Sequence, residues 1–142
     1  MLGGLVMSLA MLAQTPPECV DPQSTLDMNA CVQAELDAET ARMDRYFAAA
    51  QAQALEDADP EARLAYLSSA QRVWAAYAGI VCDDVVDQWR DGTIRTVMHL
   101  GCWSQMTRER TRVIWREHLT FADSTPPLLP EPIGSALDEA GR

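Results

Sequence analysis

The sequence predicts an all-α fold: a small three-helix bundle, built as a helical hairpin plus a third helix and stapled by two disulfides. Three observations lead there. Ala, Leu, Met and Gln recur far more often than Ile, Tyr and Phe, a balance that favours helix over sheet. Apolar residues return at helical spacings in three separate stretches. The four cysteines, Cys19, Cys31, Cys82 and Cys102, are an even set in a chain of 142 residues, which is the size of a single domain.

Helix 1 opens at Ser24, a residue suited to capping, with Asp27 three positions on. Met28, Val32, Leu36, Met43, Phe47 and Ala50 then recur at spacings of three, four and seven, and the pattern runs to about Glu56. Asp57 to Asp59 break it. Asp59-Pro60 reads as an N-cap followed by proline at the first helical position, where the missing N–H costs nothing. Leu64, Leu67, Gln71, Trp74, Ala78 and Val81 form the inner stripe of helix 2, with Tyr77 beside it. A link this short makes the two helices an antiparallel hairpin. From Asp83 to Gly92 the stripe fades into the acidic run DDVVDQWRDG, which predicts a loop. Helix 3 follows from Thr93 through Ile94, Met98, Cys102, Met106 and Val113 to about His118.

The two ends differ from this core. Leu2 to Ala13 form an uncharged apolar run of twelve, ahead of Pro16 and Pro17. That is too short to span a bilayer and matches the apolar region of a secretory signal, so residues 1–13 are expected to be a signal peptide. Cys19 follows Pro16-Pro17-Glu18 rather than small apolar residues, which argues against a lipid anchor. The expected product is periplasmic or secreted, with no stable membrane insertion after signal cleavage. Residues 14–121 form the helical domain. Residues 122–142 carry Pro126, Pro127, Pro130 and Pro132 with little periodicity, and predict a disordered tail.

Four cysteines permit three pairings. Antiparallel helices put the start of helix 1, the end of helix 2 and the start of helix 3 at one pole, which favours Cys19 with Cys31 and Cys82 with Cys102. Zinc competes poorly. No cysteine pair has CxxC spacing, and His99 and His118 stand apart, so neither a metal nor another cofactor is expected.

The formal charge is −10, and all eleven basic residues are Arg. Such a chain repels phosphate backbones, which excludes nucleic acid as a general partner. The charge is uneven: Ser24 to Glu56 holds six acids against two Arg, and Gly92 to His118 holds five Arg against two acids. Those segments complement each other as packed neighbours.

Thr25-Leu26-Asp27-Met28-Asn29-Ala30-Cys31 resembles the Thr-Gln-x-Glu-Met-Asn-x-Cys opening of the lysozyme inhibitor LprI-like family, and Thr40 to Phe47 resembles the stretch that follows it. Ala70-Gln71-Arg72-Val73-Trp74, with Cys82 further on, resembles the Ala-Gln-x-x-Trp element. Cys102 to Arg110 resembles the closing Cys-(x)4-Thr-x-x-Arg element. Together these cover about Cys19 to Val113. Where the family usually continues with Arg-Asp, Ala78 and Gly79 stand here, and its paired glycines before Ser-Ile are here Asp91-Gly92-Thr93-Ile94. The resemblance implies a protein that binds and inhibits lysozyme. The alternative is a periplasmic interaction module without that activity.

No catalytic constellation stands out, since Ser68, Ser69 and Ser104 lack His and acid partners at a usable spacing, so no enzyme is expected. Asn29, Gln71 and Arg110 are read as polar residues that bond across the bundle. The best contact candidates lie in the acidic stretch: Asp83, Asp84, Asp87 and Asp91 would draw in a cationic partner, as lysozymes often are. Trp89 among them would supply desolvated area.

Overall fold

The computed structural model describes residues 19–140, so the predicted signal peptide at residues 1–13 lies outside the described residues. Three long helices make up the body: α1 (Thr25–Ala54), α2 (Pro60–Gln88) and α3 (Arg95–His118). A short α4 (Ala136–Ala140) closes the chain.

The predicted caps form. Ser24 Oγ accepts from the Asp27 N–H at 3.1 Å, and Asp59 Oδ1 accepts from the Ala62 N–H at 3.1 Å, with Pro60 in the first turn. Each cap satisfies a donor that has no partner within its helix. Met43, Tyr46, Ala50, Ala54, Leu67, Ile114 and Leu119 build the apolar core at the end where α1 turns into α2 and α3 finishes.

The arrangement of the three helices is less even than a hairpin plus one. Helix α3 packs closely on both α1 and α2, whereas α1 and α2 meet much less. Charge explains the α1 side of this. Arg108 of α3 binds both Glu35 and, at 3.0 Å, Glu39 of α1, so the acidic and basic segments do pack as complements. Arg110 Nε–H donates to Gln71 Oε1 at 3.0 Å, joining α3 to α2 as expected for these two residues.

All four cysteines are paired, Cys19 with Cys31 and Cys82 with Cys102, both with Cα atoms 5.6 Å apart. The second disulfide locks the end of α2 to the start of α3. It closes a loop of 20 residues, which is worth about 3 kcal/mol through the unfolded chain.

Two expectations are corrected. The stretch Asp83 to Gly92 is not a loop throughout: α2 continues to Gln88, and only Trp89 to Ile94 connects the helices. Val81 and Val85, one turn apart, extend the inner stripe and border a cavity shared with Val97 and Met98 of α3. Three aspartates near a helix C-terminus oppose the macrodipole, and that hid the helix in the sequence. The described part of the tail is not disordered either. Trp115 Nε1–H donates to Leu129 O at 2.9 Å, the Tyr46 hydroxyl donates to Pro130 O at 2.8 Å, and Pro132 is fully buried. Proline fixes an extended backbone whose carbonyls are free to accept, and the helices present the donors.

Candidate functional site

The expected contact residues lie together at the disulfide pole, but on a helix end rather than on a closed loop. Asp83, Asp84 and Asp87 occupy the last turns of α2 and are exposed. Asp83 Oδ1 stands 3.8 Å from His99 Nε2 of α3. Asp84 accepts from Gln88 Nε2–H at 2.6 Å, and Asp87 pairs with Arg90 at 3.1 Å. Asp91 is exposed in the connection. Arg90 and Arg95 offset part of this acid, and Arg95 also donates to the Arg90 carbonyl at 3.0 Å, bracing the turn.

Trp89 caps the C-terminus of α2 and is 39% exposed, so part of its indole area is open to a partner. Its backbone is held on both sides. The Trp89 N–H donates to Val85 O at 3.1 Å, and its carbonyl accepts from the Gly92 N–H at 2.8 Å. A Cβ on Gly92 would lie 3.3 Å from that carbonyl and 3.5 Å from the indole Cε3, so glycine lets the turn close against the ring without crowding. Helix, turn and disulfide therefore present the four aspartates and the indole from a braced support, which lowers the ordering cost of a contact.

A second concave surface, of about 610 Å³, is lined by α1 and α3, with Trp74 contributed by α2. Its floor includes Met43, Trp74, Leu100 and Trp103, and Asp37 and Asp44 stand on its rim. Trp74 also packs on the core, as its place on the inner stripe implies. The Trp103 indole N–H donates to His99 Nε2 at 3.2 Å, which holds the imidazole at the edge of this groove.

Sequence reasoning missed a third cluster. Glu39 and Arg42 of α1 are fully buried and paired at 2.6 Å. Glu39 Oε1 accepts from the Ala136 N–H at 2.9 Å, and Arg42 donates to Glu139 at 2.7 Å and to Gly134 O at 3.1 Å. These contacts clamp the C-terminal segment onto α1. Only the charge imbalance between α1 and α3 hinted at the cluster, and nothing in the sequence pointed to Glu139.

Ala78 is fully buried, and a Cβ on its neighbour Gly79 would sit 3.8 Å from the Trp103 ring. Position 78, where the resemblance expects arginine, thus faces the inside of the bundle.

Fold and site define a small helical protein held by two disulfides, with four exposed aspartates at one pole. The disulfides fit an oxidising compartment outside the cytoplasm. Among the described residues no helix is long and apolar enough to cross a membrane. The chain belongs to the lysozyme inhibitor LprI family, whose model matches residues 19–113. It is also similar to an uncharacterized protein, R02472, of Rhizobium meliloti (strain 1021). That likeness is 32% identical over 108 residues, covering 70% of this chain and 78% of the relative. No solved structure matches.

Proposed function

We propose that this chain is an exported, non-enzymatic protein of the cell envelope that binds and inhibits lysozyme through its acidic pole. Residues 1–13 serve as its signal peptide, and the mature protein is periplasmic or secreted. The observation that carries the reading is the family match over residues 19–113, since the family is one of lysozyme inhibitors.

Electrostatics supports it. A chain of charge −10 attracts a cationic enzyme at long range, and Asp83, Asp84, Asp87 and Asp91 concentrate that attraction at one end. Trp89 then gives the complex apolar area that water leaves on binding. Inhibition follows by occlusion, because a rigid helix end seated at the mouth of a cleft excludes the polysaccharide.

The test is the rate of cell-wall hydrolysis by a cationic lysozyme, titrated with the mature protein. Loss of activity that saturates near one inhibitor per enzyme is expected. Full activity at a large excess would refute inhibition and leave the interaction module as the reading.

A further inference from the structure

The groove lined by α1 and α3 joins an aromatic floor to an acidic wall. Trp74 and Trp103, both half-buried, lie on that floor beside Leu100, so indole area stays open in a concave surface. The lining holds two carboxylates, Asp37 and Asp44 of α1, both exposed, and no arginine. Its imidazole, His99, is engaged as acceptor of the Trp103 indole N–H.

The fold leaves the charge of these two carboxylates uncompensated. Asp37 accepts from the neutral Gln33 side chain at 2.8 Å, and among the described residues neither Asp37 nor Asp44 forms an ion pair. The arginines that come nearest in chain or on the facing helix are used elsewhere. Arg45 turns to Glu139 at 3.7 Å, Arg108 binds Glu35 and Glu39, and Arg110 donates to Gln71.

This combination selects the occupant. An indole face and a carboxylate both attract a cation, and tryptophan does so best among the aromatic side chains. An anion would be repelled, and a second copy of this chain would bring the same two carboxylates against them. A neutral apolar segment would strip water from Asp37 and Asp44 and return nothing. An arginine or lysine side chain answers both surfaces, since its methylene stem covers the indoles while its head meets the acids. Asp37 and Asp44 are seven residues apart, about 10 Å along the helix axis, which leaves room for two cationic heads with apolar side chains between them.

We infer that the α1–α3 groove is a docking site for a basic segment of a partner protein, with its cationic side chains held between the Trp74 and Trp103 indoles and the carboxylates of Asp37 and Asp44. The inference does not rest on the lysozyme reading, because a basic segment of any protein partner meets the same surface. It also lies apart from the four aspartates at the disulfide pole, so each surface is tested by itself.

The probe is a short blocked peptide with the core Arg-Leu-Leu-Arg, titrated into the isotopically labelled mature protein and followed through the tryptophan indole N–H signals in nuclear magnetic resonance. Trp74→Phe and Trp103→Phe assign the two signals. Saturable shifts at Trp74 and Trp103 are expected, with a Kd of about 1 mM or tighter, while Trp89 and Trp115 stay in place. The same peptide with citrulline for both arginines keeps the shape without the charge, and should bind at least about tenfold more weakly. Asp37→Asn and Asp44→Asn, at exposed positions, should leave the melting temperature unchanged and each weaken binding at least about threefold, with losses that shrink as salt rises. Equal binding of the citrulline peptide would overturn the proposal by showing an apolar groove with no preference for charge. Shifts confined to Trp89 would overturn it by placing the basic segment at the disulfide pole, and the absence of any saturable shift would overturn it outright.

Discussion

The buried guanidinium of Arg42 in α1 donates to the carboxylate of Glu139, 97 residues further along the chain, at 2.7 Å. Arg42 is fully buried, and Glu39 is its other ionic partner. The C-terminal segment thus completes the charge compensation of the interior and is part of the folded unit. A chain ending after Ala122 loses Glu139, the Leu129 and Pro130 carbonyls that Trp115 and Tyr46 use, and the cover supplied by Pro132. We predict destabilisation of about 3 kcal/mol and a fall in melting temperature of about 10 °C. An unchanged melting temperature by circular dichroism would show that the segment adds nothing to stability.

Within that cluster the two ends of the ion pair should differ in cost. Arg42→Ala opens a buried space and leaves Glu39 with Arg108 and the Ala136 N–H as its partners, a loss of about 3 kcal/mol. Glu139→Gln keeps the shape and a hydrogen-bonding oxygen at a partly exposed position, and should lose about 1 kcal/mol. Urea denaturation of both variants gives the comparison, and equal losses would contradict the burial difference.

His118 sets an acid limit on stability. Burial, aided by the charges of Arg63 and Arg110, lowers its pKa below the ordinary 6.5. The native state then holds this proton less readily than the unfolded chain does. The stabilisation from the neutral ring is complete above 6.5 and is lost as pH falls through the lowered native value. Between about pH 8 and about pH 5, the wild type should therefore lose more melting temperature than His118→Gln. Parallel curves for the two proteins would remove His118 from the account.

The acidic pole makes a kinetic prediction. Trp89→Ala removes contact area and should mainly raise the dissociation rate from lysozyme. Replacing Asp83, Asp84 and Asp87 with asparagine should mainly lower the association rate, with an effect that shrinks as salt rises. Surface plasmon resonance at two salt concentrations separates the two. Tight binding with neither rate altered in either variant would place the contact elsewhere on the bundle.

The turn beneath Trp89 gives a more local test. Gly92→Ala places a Cβ 3.3 Å from the Trp89 carbonyl, so the turn must give by a few tenths of an ångström. A loss of about 1 kcal/mol and a shifted Trp89 fluorescence maximum are expected, since the ring sits directly above the new methyl group. An unaltered emission spectrum would mean that the glycine is not what seats the ring.

The sequence by itself determined what depends on near neighbours along the chain. Ser24 with Asp27 and Asp59 with Ala62 lie within one helical turn, so the starts of α1 and α2 were legible to the residue. Helical spacing marked the three helices. The antiparallel order that follows from short links brought the cysteines to one pole in the pairing observed. The motifs around those cysteines pointed to the family that the comparison identifies.

Only the tertiary structure decided the rest. It carried α2 through Asp83 to Gln88, because packing of Val81 and Val85 near α3, together with the Cys82–Cys102 bond, outweighs an unfavourable run of acid at a helix end. It also docked the proline-rich segment, through backbone carbonyls that any residue would supply and that leave no mark in side-chain periodicity. Arg42 and Glu139 show the general reason. Caps and stripes are local and repeat along the chain, whereas a buried charge can be met by any suitable group the fold brings near, and its position in the sequence carries no sign of which one.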